Sequence, residues 1–153
     1  IRSLTPITEM VRLESLSFSD TKVNNLAPLA NLNKLKELRA PSNPIVDISA
    51  LSAVKTLRIF DLENTMVADL KALQGLQELR EVKVSGTNVK DIAPLAGMTQ
   101  LEVLEFSKTK VRQVNILEDF TNLKVLKCYN NKINPKKIDE FRLVNPTCEV
   151  VFY

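Results

Sequence analysis

Apolar residues recur along this chain at a fixed interval of 22 residues. One column contains only leucine, at every 22nd position from Leu13 to Leu123. Six further apolar columns keep the same interval within each repeat, and one of them is β-branched, from Val23 to Ile133. Such strict self-similarity is the signature of a solenoid, in which each repeat forms one coil and is stabilised by stacking on its neighbours.

Each repeat contains a short strand followed by a longer return segment. Leu16-Ser17-Phe18 alternates between apolar and polar side chains, which predicts a strand with one buried face. Pro28 and Pro94 lie in the return segments and disfavour a regular α-helix there. We therefore expect extended or 3₁₀ returns, with stacked parallel strands about 4.8 Å apart.

The consensus L-x-x-L-x-L-x-x-[TN]-x-V-x-D-L-x-P-L-x-x-L-x-x resembles the leucine-rich repeat family. The similarity is to its short 22-residue class, found in internalin-like bacterial surface proteins and in eukaryotic phosphatase-regulator-like proteins. The resemblance implies an α/β right-handed solenoid shaped as a horseshoe arc. It implies a parallel β-sheet on the concave face, short 3₁₀ or extended returns on the convex face, and a usual role in protein recognition.

The family's corner asparagine is present here only as Asn43 and Asn131. A threonine hydroxyl can take its place, because it both donates to and accepts from the backbone groups of the corner. This departure suits Thr-type bacterial repeats better than true internalins. The other corners carry Thr21, Thr65, Thr87 and Thr109.

The register divides the chain into three segments. Residues 1–12 align with the second half of a repeat, so we expect a partial first repeat whose N-terminal cap is missing, in a longer chain. Residues 13–134 hold the leucine-rich repeats. Residues 135–153 are expected to form a C-terminal cap of a short helix and a last strand, because Asn134-Pro135 is typical of a helix start.

The two cysteines follow the apolar columns. If the interval of 22 holds to the end, Cys128 lies beside Val150 and Cys148 beside Leu126, with both thiols pointing inward. The two cysteines would then be about 8 Å apart, too far for an unstrained disulfide. We expect two free core thiols; the alternative is a disulfide formed after a register shift in the cap.

Composition argues against catalysis. The chain has no His and only three Gly, which removes the commonest general base and metal ligand and leaves no glycine-rich phosphate loop. We therefore expect a non-enzyme without cofactor or metal. The carboxylates Asp47, Asp69 and Asp91 recur once per coil, and we interpret them as loop caps, with a metal site as the alternative.

The net charge does not indicate which class of partner the chain binds. Lys and Arg number 21 against 18 acidic residues, a formal charge of +3, which is too small to indicate nucleic acid or a membrane by itself. We expect another protein as partner, no nucleic acid, no membrane insertion, and a monomer in isolation.

Side chains between the inward columns are expected to face the concave surface. One outward column alternates in sign from Arg39 onward, which indicates either a self-neutralising ladder or partner contacts. A neighbouring column carries apolar side chains that we expect to be exposed and to mark an interface. The predicted partner-binding residues are Ile59, Val103, Val125, Tyr129, Lys83, Glu105 and Lys127.

A basic rim is predicted near the C-terminal end. Residues 108–137 contain eight Lys or Arg and two acidic residues, an excess of six positive charges. The rim is either a solvated surface or a contact for an acidic protein, a glycan or an anionic surface. The predicted rim residues are Lys108, Lys110, Arg112 and Lys132.

These features together predict a binding scaffold that recognises another protein through its concave face. We expect a bacterial surface or secreted protein, with a cytoplasmic location left open. Two alternatives remain: a rigid spacer or adhesin stalk, and the regulatory or docking arm of an enzyme whose catalytic domain lies upstream.

Overall fold

The computed structural model describes residues 1–153 as a single row of stacked coils. Seven strands of three residues form one parallel sheet, in which every strand pairs with the next along the chain. The sheet lines the concave face of the solenoid, and short 3₁₀ helices form the returns, as the resemblance to the leucine-rich repeat family implied. The strands are β1 (Ser15–Ser17), β2 (Glu37–Arg39), β3 (Ile59–Asp61), β4 (Glu81–Lys83), β5 (Val103–Glu105), β6 (Val125–Lys127) and β7 (Glu149–Val151).

The convex face consists of short 3₁₀ helices. Five of the six returns begin with an Asx or serine turn, and the last, at Gln113, does not. Pro28 and Pro94 occupy early 3₁₀ positions where a missing N–H costs nothing. Every 3₁₀ helix except the first buries one leucine, for example Leu51 or Leu95. The 3₁₀ helices are Thr5–Ile7, Ala27–Leu29, Ser49–Ala53, Lys71–Leu73, Ala93–Leu95 and Asn115–Asp119.

The core is one continuous row of apolar side chains between sheet and returns. The leucine column is fully buried at Leu35, Leu57, Leu79 and Leu101, whereas Leu13 in the first complete coil is only half-buried. Every inner coil therefore packs on two neighbours, as expected of a quasi-one-dimensional core.

The corner after each strand is held by Asn or Thr side chains. Asn43 is buried; its Nδ2 donates to the carbonyls of Phe18, Ala40 and Pro41, and its Oδ1 accepts from the Thr21 N–H at 2.9 Å. Threonine replaces only part of this network: the Thr65 hydroxyl donates to the Leu62 carbonyl at 2.8 Å.

Residues with a left-handed backbone conformation follow the strands, and they recur every 22 residues. Their N–H groups continue the backbone ladder; for example, Ser42 donates to the Glu63 carbonyl at 2.8 Å. Only glycine adopts this backbone without strain, and Gly86 supplies it at one corner. The column comprises Asp20, Ser42, Asn64, Gly86, Lys108 and Asn130, with φ from +52° to +70°.

A ten-residue helix, α1 (Pro135–Val144), follows the last full coil. The Asn134 side chain accepts from the Lys136 N–H at 3.1 Å, and Pro135 fills the first turn, as the Asn-Pro pair predicted. The helix packs Ile138 and Phe141 against the core. Neither α1 nor any 3₁₀ helix is long and apolar enough to cross a bilayer.

Candidate functional site

The outward column formed by the last residue of each strand contains most of the ion pairs of the concave face. The Glu105 carboxylate lies 3.8 Å from Lys83 Nζ and 3.3 Å from Lys127 Nζ, on the two adjacent strands. Lys83 also contacts Glu81 at 3.2 Å. Glu105 is almost completely buried between its two lysines. These three predicted contact residues are therefore already joined by ion pairs within the chain, with Glu81 as a second acidic partner of Lys83.

The ladder differs from the predicted alternation at its other end. Arg39 does not pair with Asp61 on the adjacent strand; its guanidinium reaches over β3 to Glu81 at 3.3 Å. Asp61 instead accepts the N–H of Glu63 at 3.2 Å. The longer reach of arginine explains the difference, because its fork can span one intervening strand.

Two acidic side chains on the concave face ionise less readily than usual. Burial raises the pKa of Asp61, although the Glu63 N–H and the Lys83 and Arg39 charges oppose this shift. Burial also raises the pKa of Glu63. Lys83 responds differently: burial lowers its pKa, but the hydrogen bond and charge of Glu81 outweigh burial and raise it overall.

The adjacent outward column carries the predicted aliphatic residues. Val103 and Val125 are direct neighbours on β5 and β6, so they form one continuous apolar surface. Ile59 is separated from them by Glu81 on β4. All three side chains are half-buried, whereas the sequence pattern predicted them to be exposed.

An aromatic pair lies at the C-terminal end of the same face. The rings of Tyr129 and Tyr153 stack with centroids 4.9 Å apart, and Lys108 Nζ lies 5.8 Å from the Tyr129 ring centroid. Tyr129 is half-buried, whereas Tyr153 is 75% exposed. Val151 of β7 is also half-buried and pairs with Lys127. Sequence reasoning missed Val151 and Tyr153 as members of this surface.

The reason is a register change at the last strand. Leu126 pairs with Val150, at an interval of 24 residues, because α1 lengthens the final return by two residues. The predicted pairings of Cys128 with Val150 and Leu126 with Cys148 are therefore wrong. Both thiols are free, with Cys128 buried and Cys148 only half-buried, and burial raises the pKa of the Cys128 thiol to about 12.

The predicted basic rim is divided by the structure. Lys110, Arg112 and Lys132 line a cavity of about 600 Å³ at the edge of the solenoid where the strands end. Lys108 does not line it and points instead to Tyr129. Lys90 joins the cavity because the 22-residue register stacks it on Arg112, a signal visible only when the repeats are aligned.

The repeated aspartates act as turn caps. Asp47, Asp69 and Asp91 each accept the backbone N–H two residues later at 2.8 Å, at the start of a 3₁₀ helix. Each carboxylate thus accepts a hydrogen bond from a backbone N–H of its own coil, which supports the loop-cap interpretation.

Comparison with solved structures identifies the fold class. The chain superposes on an internalin of Listeria monocytogenes with a TM-score of 0.94, at 24% identity over 99% of this chain and 44% of the internalin. Internalin C2 of the same species gives 0.83 and 25% identity, over 96% of this chain and 66% of that one. A leucine-rich repeat protein of Leptospira interrogans gives 0.86 and 22%, over 95% and 38%.

These likenesses confirm the leucine-rich repeat fold that the family resemblance implied. The chain spans less than half the length of the first Listeria internalin and of the Leptospira protein, and about two thirds of internalin C2. No family model matches the chain, and no curated protein matches its sequence.

Proposed function

We propose that this chain is a scaffold that binds another protein through the C-terminal half of its concave sheet. The observation that carries the proposal is the pair of outward-facing valines, Val103 and Val125, on adjacent strands. The stacked Tyr129 and Tyr153 lie further along the same face, beyond Lys127. These side chains face the open side of the sheet, where folding does not require apolar residues. Valine and tyrosine side chains clustered on an open face are typical of interaction sites.

The remainder of the concave face is suited to orienting a bound partner and adds little to the affinity for it. Lys83 and Lys127 already form ion pairs with Glu105, so a partner gains little by replacing these contacts. Lys108 differs, because it forms no ion pair and lies over the Tyr129 ring. The partner that fits presents an apolar side chain to the valines and an acidic side chain to Lys108.

The proposal includes a bacterial surface or secreted location. Its support is the resemblance to internalin-like bacterial surface proteins and the similarity to the two Listeria internalins. Protease treatment of intact cells of the source organism, followed by detection of this chain, tests the location. Loss of the chain from intact cells is expected, and full protection would contradict a surface location.

The test of binding compares two double variants of the chain. Val103→Glu/Val125→Glu places charges on the proposed surface, whereas Val46→Glu/Met66→Glu places the same charges at residues 56% and 54% exposed outside the sheet. Partners captured by the wild type from extracts of the source organism and any host are purified, and their affinities are measured by calorimetry. Thermal unfolding confirms that both variants fold.

We expect the concave variant to lose at least about tenfold in affinity and the control to stay within about twofold. Equal affinity of all three proteins would refute the concave site. Failure of the wild type to bind any partner would favour a spacer or stalk, and a catalytic domain upstream in the full-length protein would favour the docking-arm alternative.

A further inference from the structure

The cavity at the strand-end edge is lined by charged residues of one sign only. Seven residues line it: four cations and three neutral polar side chains, with neither an acidic nor a hydrophobic residue among them. The cations come from three successive coils. The lining consists of Lys90, Thr109, Lys110, Arg112, Gln113, Asn130 and Lys132.

The repeat register forces these cations together. Lys110 and Lys132 are one interval of 22 apart, and so are Lys90 and Arg112. Each pair therefore occupies equivalent positions on adjacent coils, about 4.8 Å apart along the solenoid. Like charges at this spacing repel each other, so the arrangement gives the isolated chain no stability.

The chain does not neutralise these cations itself. Twelve ion pairs occur in the structure, and none involves Lys90, Lys110, Arg112 or Lys132. The single side-chain hydrogen bond among them runs from Lys110 Nζ to the neutral Asn88 Oδ1, at 2.9 Å. The cavity thus differs from the concave face, where charges are balanced within the molecule.

The neutral side chains that line the cavity restrict the chemical class of anion that it can bind. Without an aromatic side chain the cavity offers no platform for stacking nucleic-acid bases. Without an apolar side chain it offers little to the flanking residues of a peptide. The amides of Gln113 and Asn130 can instead pair with sugar hydroxyls, and Arg112 can bind two oxygens of a sulfate or phosphate group at once.

We propose that this cavity binds an oligosaccharide carrying sulfate or phosphate ester groups. The four cations bind the ester groups, and Gln113 and Asn130 bind the sugar ring between them. A volume of about 600 Å³ lies in the range of ordinary small-ligand sites. The site is separate from the concave valines and does not depend on the proposed protein partner.

The test uses the whole chain with two charge-matched variants. Arg112→Gln/Lys132→Gln removes two cavity cations, and Lys34→Gln/Lys55→Gln removes two unpaired exposed cations elsewhere. The probes are a heparin octasaccharide, a phosphorylated pentamannose, desulfated heparin, polyglutamate and a single-stranded DNA 12-mer. Calorimetry in about 0.15 M salt reports affinity, and amide NMR shifts locate the contact.

We expect one of the two ester-bearing sugars to bind, which identifies the source of the anion. The cavity variant should lose at least tenfold in affinity and the control less than twofold, with the NMR shifts centred on Thr109 and Asn130. Without ligand, the cavity variant should unfold at the same temperature as the wild type or higher, because the substitutions remove repulsion between the cavity cations.

Four results would overturn the proposal. They are no binding of either ester-bearing sugar, equal loss in the two variants, equal binding of desulfated heparin, and equal or tighter binding of polyglutamate or DNA. The last would assign the cavity to an acidic protein or to nucleic acid.

Discussion

Leu79→Ala measures how far the stability of one coil depends on its neighbours. Leu79 is 0% exposed and packs in the leucine column between Leu57 and Leu101, which are also fully buried. The substitution removes three carbons, worth about 2.4 kcal/mol at about 0.8 kcal/mol each. The cavity left in a column that two coils hold in place raises the cost, to about 2–5 kcal/mol in total.

The same substitution at two other leucines provides the controls. Leu143 in α1 is 82% exposed, so Leu143→Ala should change stability by less than about 0.5 kcal/mol. Leu13 belongs to the same column as Leu79 but is half-buried in the first complete coil, so its loss should cost an intermediate amount. The expected order of destabilisation is Leu79, Leu13, Leu143.

Urea denaturation followed by circular dichroism gives the three free energies of unfolding. For a chain of this size the Leu79 variant should also melt about 4–20 °C lower, at about 2–4 °C for each kcal/mol. Equal losses for Leu79→Ala and Leu143→Ala would refute the inward assignment of the leucine column. A lower urea dependence of the Leu79 variant would show that the coils on its two sides unfold separately.

Three further predictions concern the corners, the acidic side chains and the thiols. Ser42→Gly, at φ +56°, should raise the free energy of unfolding by about 1 kcal/mol, and a decrease in urea denaturation would contradict the strain assigned there. Glu63→Gln should stabilise at pH 7, because native burial raises the Glu63 pKa; the gain should shrink as pH falls through the native pKa and vanish below the unfolded value of 4.5. A pH-independent difference in melting temperature would refute this. Iodoacetamide at pH 8 should label Cys148 before Cys128, whose pKa is about 12, and the reverse order in mass spectrometry would contradict the burial.

Much of the fold was predictable because one interval governs it. From Leu16 to Leu126 every strand pair keeps the 22-residue register, so columns alone assign the core and the outward faces. Prediction failed at Val150, where α1 changes the interval to 24. Helix length does not follow from the repeat, so extrapolating the repeat misplaced the last strand and Cys148, whereas Cys128 is free and buried as predicted.

The candidate sites were less predictable, because they depend on side-chain reach. Column arithmetic brings Val103 and Val125 together, but it cannot show that Arg39 passes over β3 to Glu81. A window of consecutive residues found most of the basic rim yet omitted Lys90, which joins the cavity through stacking. The left-handed corners were also missed, since Ser and Lys occupy positions where glycine would have been a signal.

The alternating charges on the concave face give the solenoid a second repeat length, different from that of its core packing. Packing repeats every 22 residues. In the outward column formed by the last residue of each strand, the charge changes sign from Arg39 to Asp61 and again to Lys83. The charge pattern therefore repeats every two coils, or 44 residues. Duplicating or deleting one coil would preserve every core contact and still set like charges side by side. The unit that can be gained or lost without this penalty is a pair of coils, about 10 Å of solenoid. Recombination between repeats in the gene is therefore expected to change the protein's length in even steps.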